Sequence, residues 1–154
     1  MTEQAITVRT LTASDRMHWQ PLFEGYASFY QVALTPAIID QVWQWLCDPE
    51  HVFEGLLAFS GSGEALGLAH IRSCPRSLGG SNIGFLDDLF VQPHARGSGV
   101  ADALMDALHT LAQERQWPMI RWLTQHFNTR GRAFYDRYTD GPSDFIAYQW
   151  RIDQ

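Results

Sequence analysis

Residues 89–101 read Leu-Phe-Val-Gln-Pro-His-Ala-Arg-Gly-Ser-Gly-Val-Ala. An aromatic and β-branched run stops at Pro93, and Arg96-Gly97-Ser98-Gly99 then opens an amphipathic segment over residues 100–113. Proline cannot continue a strand's ladder, and glycine lets backbone N–H groups turn inward with no Cβ in the way. The first turn of a helix adds unpaired N–H donors and a partial positive charge. A strand feeding a glycine turn and a helix is therefore built to hold an anion, most often a phosphate. Arg96 supplies a fixed cation at the same place.

Two common phosphate loops do not fit. A Walker loop needs Gly-Lys-Ser/Thr, and the chain has no lysine. The dinucleotide fingerprint Gly-x-Gly-x-x-Gly needs a third glycine, where this chain has Asp102, and it belongs near the start of a βαβ unit rather than past mid-chain. Residues 96–101 instead resemble the Gln/Arg-x-x-Gly-x-Gly/Ala pyrophosphate loop of the GCN5-related N-acetyltransferases. Val91-x-Pro93 stands just upstream, as is usual there. Leu86-Asp87-Asp88-Leu89-Phe90-Val91 resembles the fourth strand of the polyamine and small-amine branch. Trp122-Leu123-Thr124, Asn128 and Arg132-Ala133-Phe134-Tyr135-Asp136 resemble the fifth strand and the helix after it.

The composition bounds the rest. A chain of 154 residues, 45% apolar and 13% aromatic, reads as one globular domain over residues 5–154. No apolar run approaches membrane-spanning length, and the start lacks a basic region followed by an apolar one. Cys47 and Cys74 form no disulfide framework or zinc pattern. The expectation is a cytoplasmic protein. A net charge of −6 argues against nucleic acid as partner, since that affinity comes from neutralising phosphates, and it suits a cationic amine.

Periodicity and punctuation place strands at residues 5–11, 56–60, 65–72, 83–91, 119–124 and 145–152. Helices fall at about residues 15–30, 36–47, 98–116 and 129–138. Gly61-Ser62-Gly63-Glu64 joins two strands as a hairpin, and residues 78–81 form a loop. Hairpins beside a strand–helix–strand crossover predict an α/β chain with mixed pairing. The resemblance implies the acyl-CoA N-acyltransferase fold. That is a central mixed sheet of six or seven strands, splayed between the fourth and fifth, flanked by about four helices, with the pantetheine arm in the gap.

Acetyl transfer to an amine needs a proton removed from an alkylammonium whose pKa is about 10. It also needs a donor for the thioester oxygen and a proton for the departing thiolate. Neither a metal nor a covalent enzyme intermediate is required when both substrates are held together. Asp87 and Asp88 sit mid-strand, one facing each way by two-residue alternation. One reading has them capping a turn and meeting solvent. The other has Asp87 orienting or deprotonating the amine, directly or through water, because Asp87 falls where the resembling branch has a substrate-binding glutamate.

The resemblance further implies that acetyl-CoA is the co-substrate, held by the backbone of Leu89, Phe90 and Val91 and by Arg96, Gly97, Ser98, Gly99, Val100 and Ala101. It places Tyr135 as the phenol that protonates the coenzyme sulfur. Asn128 is placed against pantetheine or pyrophosphate, although it reads equally as a helix N-cap. Arg130 and Arg132 are either phosphate neighbours or exposed. Glu24, Tyr26, Phe29 and Tyr30 cluster at helical spacing, where an acid among rings suits an ammonium. Of these, Glu24, Tyr26 and Tyr30 join Asp87 as the candidate acceptor site, and ordinary aromatic packing is the competing reading. His18, His70, His94 and His126 lack metal-ligand spacing. The expected protein is an N-acetyltransferase acting on a primary amine of a small molecule in a ternary complex, and a homodimer. The alternatives are a peptide acetyltransferase and a non-catalytic acyl-CoA sensor.

Overall fold

A computed structural model describes residues 5–153. The chain divides into two compact units, Met1–Trp122 and Leu123–Gln154. In the first, β1 (Thr7–Thr10), β2 (Phe53–Phe59), β3 (Ala65–Arg76), β4 (Ser81–Val91) and β5 (Ile120–Trp122) form one sheet in sequence order. The ladders from β1 to β4 are antiparallel, and β4 pairs with β5 in parallel. Helices α1 (Arg16–Phe29) and α2 (Pro36–Cys47) connect β1 to β2, and α3 (Val100–Glu114) connects β4 to β5. The second unit contains α4 (Thr129–Asp136). The fold is the mixed α/β arrangement expected of acyl-CoA N-acyltransferases.

Both faces of the sheet are covered. Leu57, Phe59, Leu68 and Phe90 pack with Trp19, Leu22 and Phe23 of α1 and Ile39 and Val42 of α2. The other face receives α3. A Cβ on Gly67 would stand 2.8 Å from Val100 Cγ1 and 3.1 Å from Leu104 Cδ1, so a side chain at Gly67 would displace that helix. The α2 boundaries match the expected ones because Thr35 caps the helix, accepting from the Ile38 amide at 3.2 Å, and Pro36 pre-sets its first turn.

Two expectations are corrected. The sheet has five strands among the described residues, not six or seven, and residues 145–152 form no strand. Alternation in Phe-Ile-Ala-Tyr-Gln-Trp-Arg-Ile decides which side chains share a face. A strand exists only where a neighbour takes up its backbone groups, and no ladder forms there.

Asp15 ties β1 to α1. Its carboxylate takes Nη1 and Nη2 of Arg9 at 2.7 and 2.8 Å and the Thr12 amide at 2.7 Å. The Arg9 bonds hold it far below the usual carboxylate range, opposed by burial and helped by Thr12. A carboxylate lowered on folding contributes stability above its unfolded value, and that contribution is lost on acidification. The thermal midpoint is therefore expected to fall from about pH 4 downward. Asp15→Asn should start lower and show a shallower acid limb, which melting curves from pH 2 to 7 check.

Candidate active site

The β3–β4 ladder pairs Ala69 with Leu89 and His70 with Asp88, but the next pair is Ile71 with Leu86. Asp87 is thus an extra residue in β4, a β-bulge. Its consequence is visible on either side. Before it, Gly84 faces α3, since a Cβ there would lie 2.6 Å from Trp117 on that face. After it, Phe90 packs with α1, whereas unbroken alternation from Gly84 would put Phe90 on the α3 face.

The bulge therefore reverses the expected arrangement of the two aspartates. Asp88 Oδ2 bonds His70 Nδ1 at 2.7 Å, and Asp87 Oδ2 accepts from Arg72 Nε at 2.8 Å. His70 and Arg72 are two residues apart on β3, hence on one face. Both carboxylates lie on the α1 side rather than one on each. Burial, reinforced by the Asp88 charge and opposed by Arg72, pushes the Asp87 carboxyl above its ordinary value.

A buried network sits behind Asp88. His70 and Trp19 are fully buried, and Trp19 Nε1 donates to His70 Nε2 at 2.9 Å. An indole nitrogen only donates, so His70 Nε2 must accept and its proton lies on Nδ1, pointing at Asp88. Trp19 thereby holds His70 as one neutral tautomer, a fixed donor to Asp88. The rings of Trp19, Phe23 and Phe53 pack around the imidazole, with the Phe53 ring 4.8 Å away.

Of the acceptor residues named from sequence, Tyr26 and Tyr30 come together with the aspartates, and Glu24 does not. The Tyr26 hydroxyl donates to the Asp87 carbonyl at 3.4 Å, and the Tyr26 and Tyr30 rings meet edge to face at 5.0 Å. Burial and the Asp88 charge push the Tyr30 phenol up. Glu24 is exposed and accepts from Gln20 one turn earlier at 2.9 Å. Gly25 is needed because a Cβ would stand 2.8 Å from Phe90 Cζ. His70, Arg72 and Trp19 were not among the candidates. A histidine inside the apolar run from Leu66 to Ile71 was the available signal, since a buried imidazole must find partners.

The segment expected to hold the coenzyme follows the bulge. Gln92 donates its N–H to the Leu66 carbonyl at 2.8 Å, so Phe90 and Asp88 also turn their amides toward β3. Leu89 and Val91 consequently turn theirs to the opposite side. The β4–β5 ladder covers only Gly84–Leu86 with Ile120–Trp122, so beyond Leu86 β4 pairs with β3 alone among the described residues. The Val91 carbonyl accepts from Arg96 Nε at 3.4 Å, and the Arg96 guanidinium lies 5.7 Å from the Phe29 ring centre.

Gly97 and Gly99 have φ of +80° and +90°, and no atom stands within 4 Å of a Cβ built at either. Ser98 donates its amide to the Ala95 carbonyl at 3.3 Å, and Gly99 caps α3 with no side chain over the helix end. Buried Val100 anchors the turn while Ala101 is half-buried. An open, left-handed glycine turn against a bare helix N-terminus fits a diphosphate.

In the second unit, Asn128 caps α4. Its Oδ1 accepts from the Gly131 amide at 3.1 Å and its Nδ2 donates to Thr124 Oγ1 at 3.3 Å. Tyr135 lies on α4, half-buried, with its ring edge-on to Phe134 at 5.6 Å. Arg132 Nη1 donates to the His126 carbonyl at 2.8 Å, and Arg130 is exposed. Among the described residues no three His, Cys, Asp or Glu side chains are grouped to hold a metal ion.

A mixed sheet whose β4 keeps a free edge beyond Leu86, with a glycine turn at that strand's end, is the arrangement of an acyltransferase that uses an acyl-CoA. Residues 19–139 match the model of the acetyltransferase (GNAT) family, and the chain belongs to that family, as an acetyl-CoA-dependent N-acetyltransferase. It is 28% identical over 138 residues to a D-amino-acid N-acetyltransferase of Saccharomyces cerevisiae, covering 89% of this chain and 86% of that one. It is 32% identical over 117 residues to an aminoglycoside N(6')-acetyltransferase of Stenotrophomonas maltophilia, covering 74% and 72%. The crystal structure of a ribosomal-protein-alanine N-acetyltransferase from Brucella melitensis superposes with a TM-score of 0.81 at 26% identity, covering 96% of this chain and 100% of that chain.

Proposed function

We propose that the protein transfers the acetyl group of acetyl-CoA to a primary amine on a small molecule, a polyamine, diamine, amino acid or similar compound, by direct attack in a ternary complex. The observation that carries this reading is the bulge at Asp87. It sets two carboxylates on one face of β4 and turns the Leu89 and Val91 amides to the other edge of the same strand. An amine collected by the carboxylates then lies next to a thioester whose oxygen meets a backbone N–H.

Asp87 takes the proton from the attacking ammonium, directly or through a water. Its raised affinity for a proton suits a base working nearer neutrality than an ordinary aspartate. Tyr26 and Tyr30 line the acceptor side. The Arg96–Ala101 turn holds the coenzyme diphosphate. In the second unit the family resemblance gives Asn128 a coenzyme contact and Tyr135 the proton for the departing sulfur. The names of the yeast and aminoglycoside relatives support a small acceptor.

The enzyme works in the cytoplasm, a reading supported by two unpaired cysteines and by the lack, among the described residues, of any helix long and apolar enough to cross a membrane. It pairs with a second copy. Phe145, Ile146, Tyr148, Trp150 and Ile152 are 73 to 90% exposed, an apolar stretch that one copy leaves in water. Sedimentation equilibrium at micromolar concentration is expected to return twice the chain mass, and a monomer would remove the dimer.

The test of the activity is release of free CoA from acetyl-CoA across polyamines, amino acids, aminoglycosides and peptides, with calorimetry of CoA binding alongside. Thiol release with small amines is expected. Release with peptides only would replace the small acceptor. CoA binding without release would make the protein a sensor.

A further inference from the structure

We propose that the acceptor is an α-amino acid, read by a pair of opposite charges on one face of β3 and β4: Asp88 takes the ammonium and Arg72 the carboxylate. The inference rests on the acetyl-transfer reading and narrows its acceptor to one class.

Arg72 is held side-on. Its Nε bonds Asp87, and its guanidinium stacks 4.5 Å from the centre of the Phe85 ring. Nη1 and Nη2 make no hydrogen bond among the described residues, and the side chain is 36% exposed. An arginine serving only to neutralise a carboxylate commonly uses two N–H groups in a fork. Here one bond and a ring fix the plane, while the terminal nitrogens remain available to another planar anion. Asp88 is set the same way. Neutral His70 occupies Oδ2, Oδ1 has no hydrogen-bond partner among the described residues, and the side chain is 19% exposed.

Charge and spacing select the ligand. Asp87 and Arg72 offset one another, which leaves Asp88 as an uncompensated negative charge, since His70 is neutral in this tautomer. His70 and Arg72 are two strand residues apart, so the groups they position stand about 7 Å apart. In an α-amino acid the nitrogen and the nearer carboxylate oxygen are roughly 3 Å apart. A hydrogen bond of about 2.8 Å at each end reaches about 8.6 Å in line and less where the bonds bend, which spans that spacing. A diamine offers Arg72 nothing and brings a second cation toward it, which is repulsive at short range. A carboxylate with no amine has nothing to give Asp88.

The experiment compares leucine with isopentylamine, the same side chain and amine without the carboxylate, in both thiol release and calorimetric titration of the intact protein. Leucine's amine is the more acidic of the two, so kcat/KM is compared at its pH-independent limit, where both amines are free, and that comparison isolates the carboxylate. A charge-assisted bidentate contact predicts kcat/KM for the better leucine enantiomer at least about tenfold above isopentylamine. Arg72→Gln should collapse that ratio toward one. Asp88→Asn should raise KM for leucine and weaken its calorimetric binding. Equal kcat/KM for the two compounds in the unaltered protein overturns the proposal without any variant, so a folding failure of Arg72→Gln does not shelter it. A ratio that survives in a folded Arg72→Gln also overturns it. Brisk acetylation of both compounds with no preference removes this inference and leaves acetyl transfer standing. No thiol release with any amine removes both.

Discussion

Replacing Tyr135 by phenylalanine is expected to lower kcat by about 100-fold, the lower end of what a positioned general acid contributes. A coenzyme thiol has a pKa of about 8.5, so at neutral pH its departing sulfur takes a proton, which a phenol beside it can lend and recover from solvent. Phenylalanine keeps the ring that meets Phe134 edge-on at 5.6 Å, and the backbone carbonyl that accepts from Thr139 Oγ1 at 3.1 Å is untouched. Coenzyme affinity should therefore change little, and a melting curve of the variant reads what loss of the hydroxyl costs the fold. Two measurements separate acid catalysis from packing. The calorimetric dissociation constant for CoA should stay within about threefold, a change of roughly 0.7 kcal/mol. An acyl donor with a more acidic thiol should narrow the gap between variant and parent, because its sulfur leaves without help. A kcat within threefold of the parent on acetyl-CoA would show that Tyr135 supplies no proton.

The glycine-turn half of the candidate site is legible in sequence because local rules govern it. Pro93 ends a strand, Gly97 and Gly99 adopt positive φ, and α3 begins where the apolar period does. Each of these signals lies within a few residues of its effect. The same holds for Thr35 and Pro36 at α2 and for Asn128 at α4, where the N-cap reading of the asparagine is realised.

The half around Asp87 and Asp88 is not local. No glycine or proline marks the bulge at Asp87, and alternation assigns Asp87 and Asp88 to opposite faces whenever the strand is assumed regular. The bulge belongs to the β3–β4 ladder, so only the pairing reveals it. His70 is similar. Its partner Trp19 lies 51 positions away, and sequence spacing screens histidines for metal ligation rather than for a buried hydrogen-bond chain. Glu24 shows the opposite error. It shares a stretch with Tyr26 and Tyr30, yet one residue of helix is a turn of about 100°, and a step of two or six residues from those tyrosines carries Glu24 off their face. Residues 145–152 show that a correct period is necessary for a strand and not sufficient.

Truncating His70 to alanine is expected to destabilise the fold by about 3 to 5 kcal/mol, the range reserved for losing a buried group and its network together. The cavity lies among the Trp19, Phe23 and Phe53 rings and costs about 2 kcal/mol. Leaving the Trp19 indole N–H buried without an acceptor adds about 1 to 3 kcal/mol. Asp88 is partly open to solvent, recovers hydration, and adds less. Trp19→Phe removes the donor and also trims a buried ring, a cost that the double-mutant cycle subtracts, and the two changes should be strongly non-additive, with a coupling of about 1 to 2 kcal/mol. Urea unfolding of the parent, both single variants and the double variant reads that coupling, and additivity within about 0.5 kcal/mol would mean the nitrogens are neighbours without an energetic bond. Function should follow the same chain of contacts. His70 touches no substrate; it aims Asp88, so a folded Trp19→Phe is expected to raise KM for the acceptor more than it lowers kcat, with coenzyme affinity unmoved. A proportional loss in all three would reduce the network to a packing element, because a carboxylate still held at its proper angle would keep its preference for the amine.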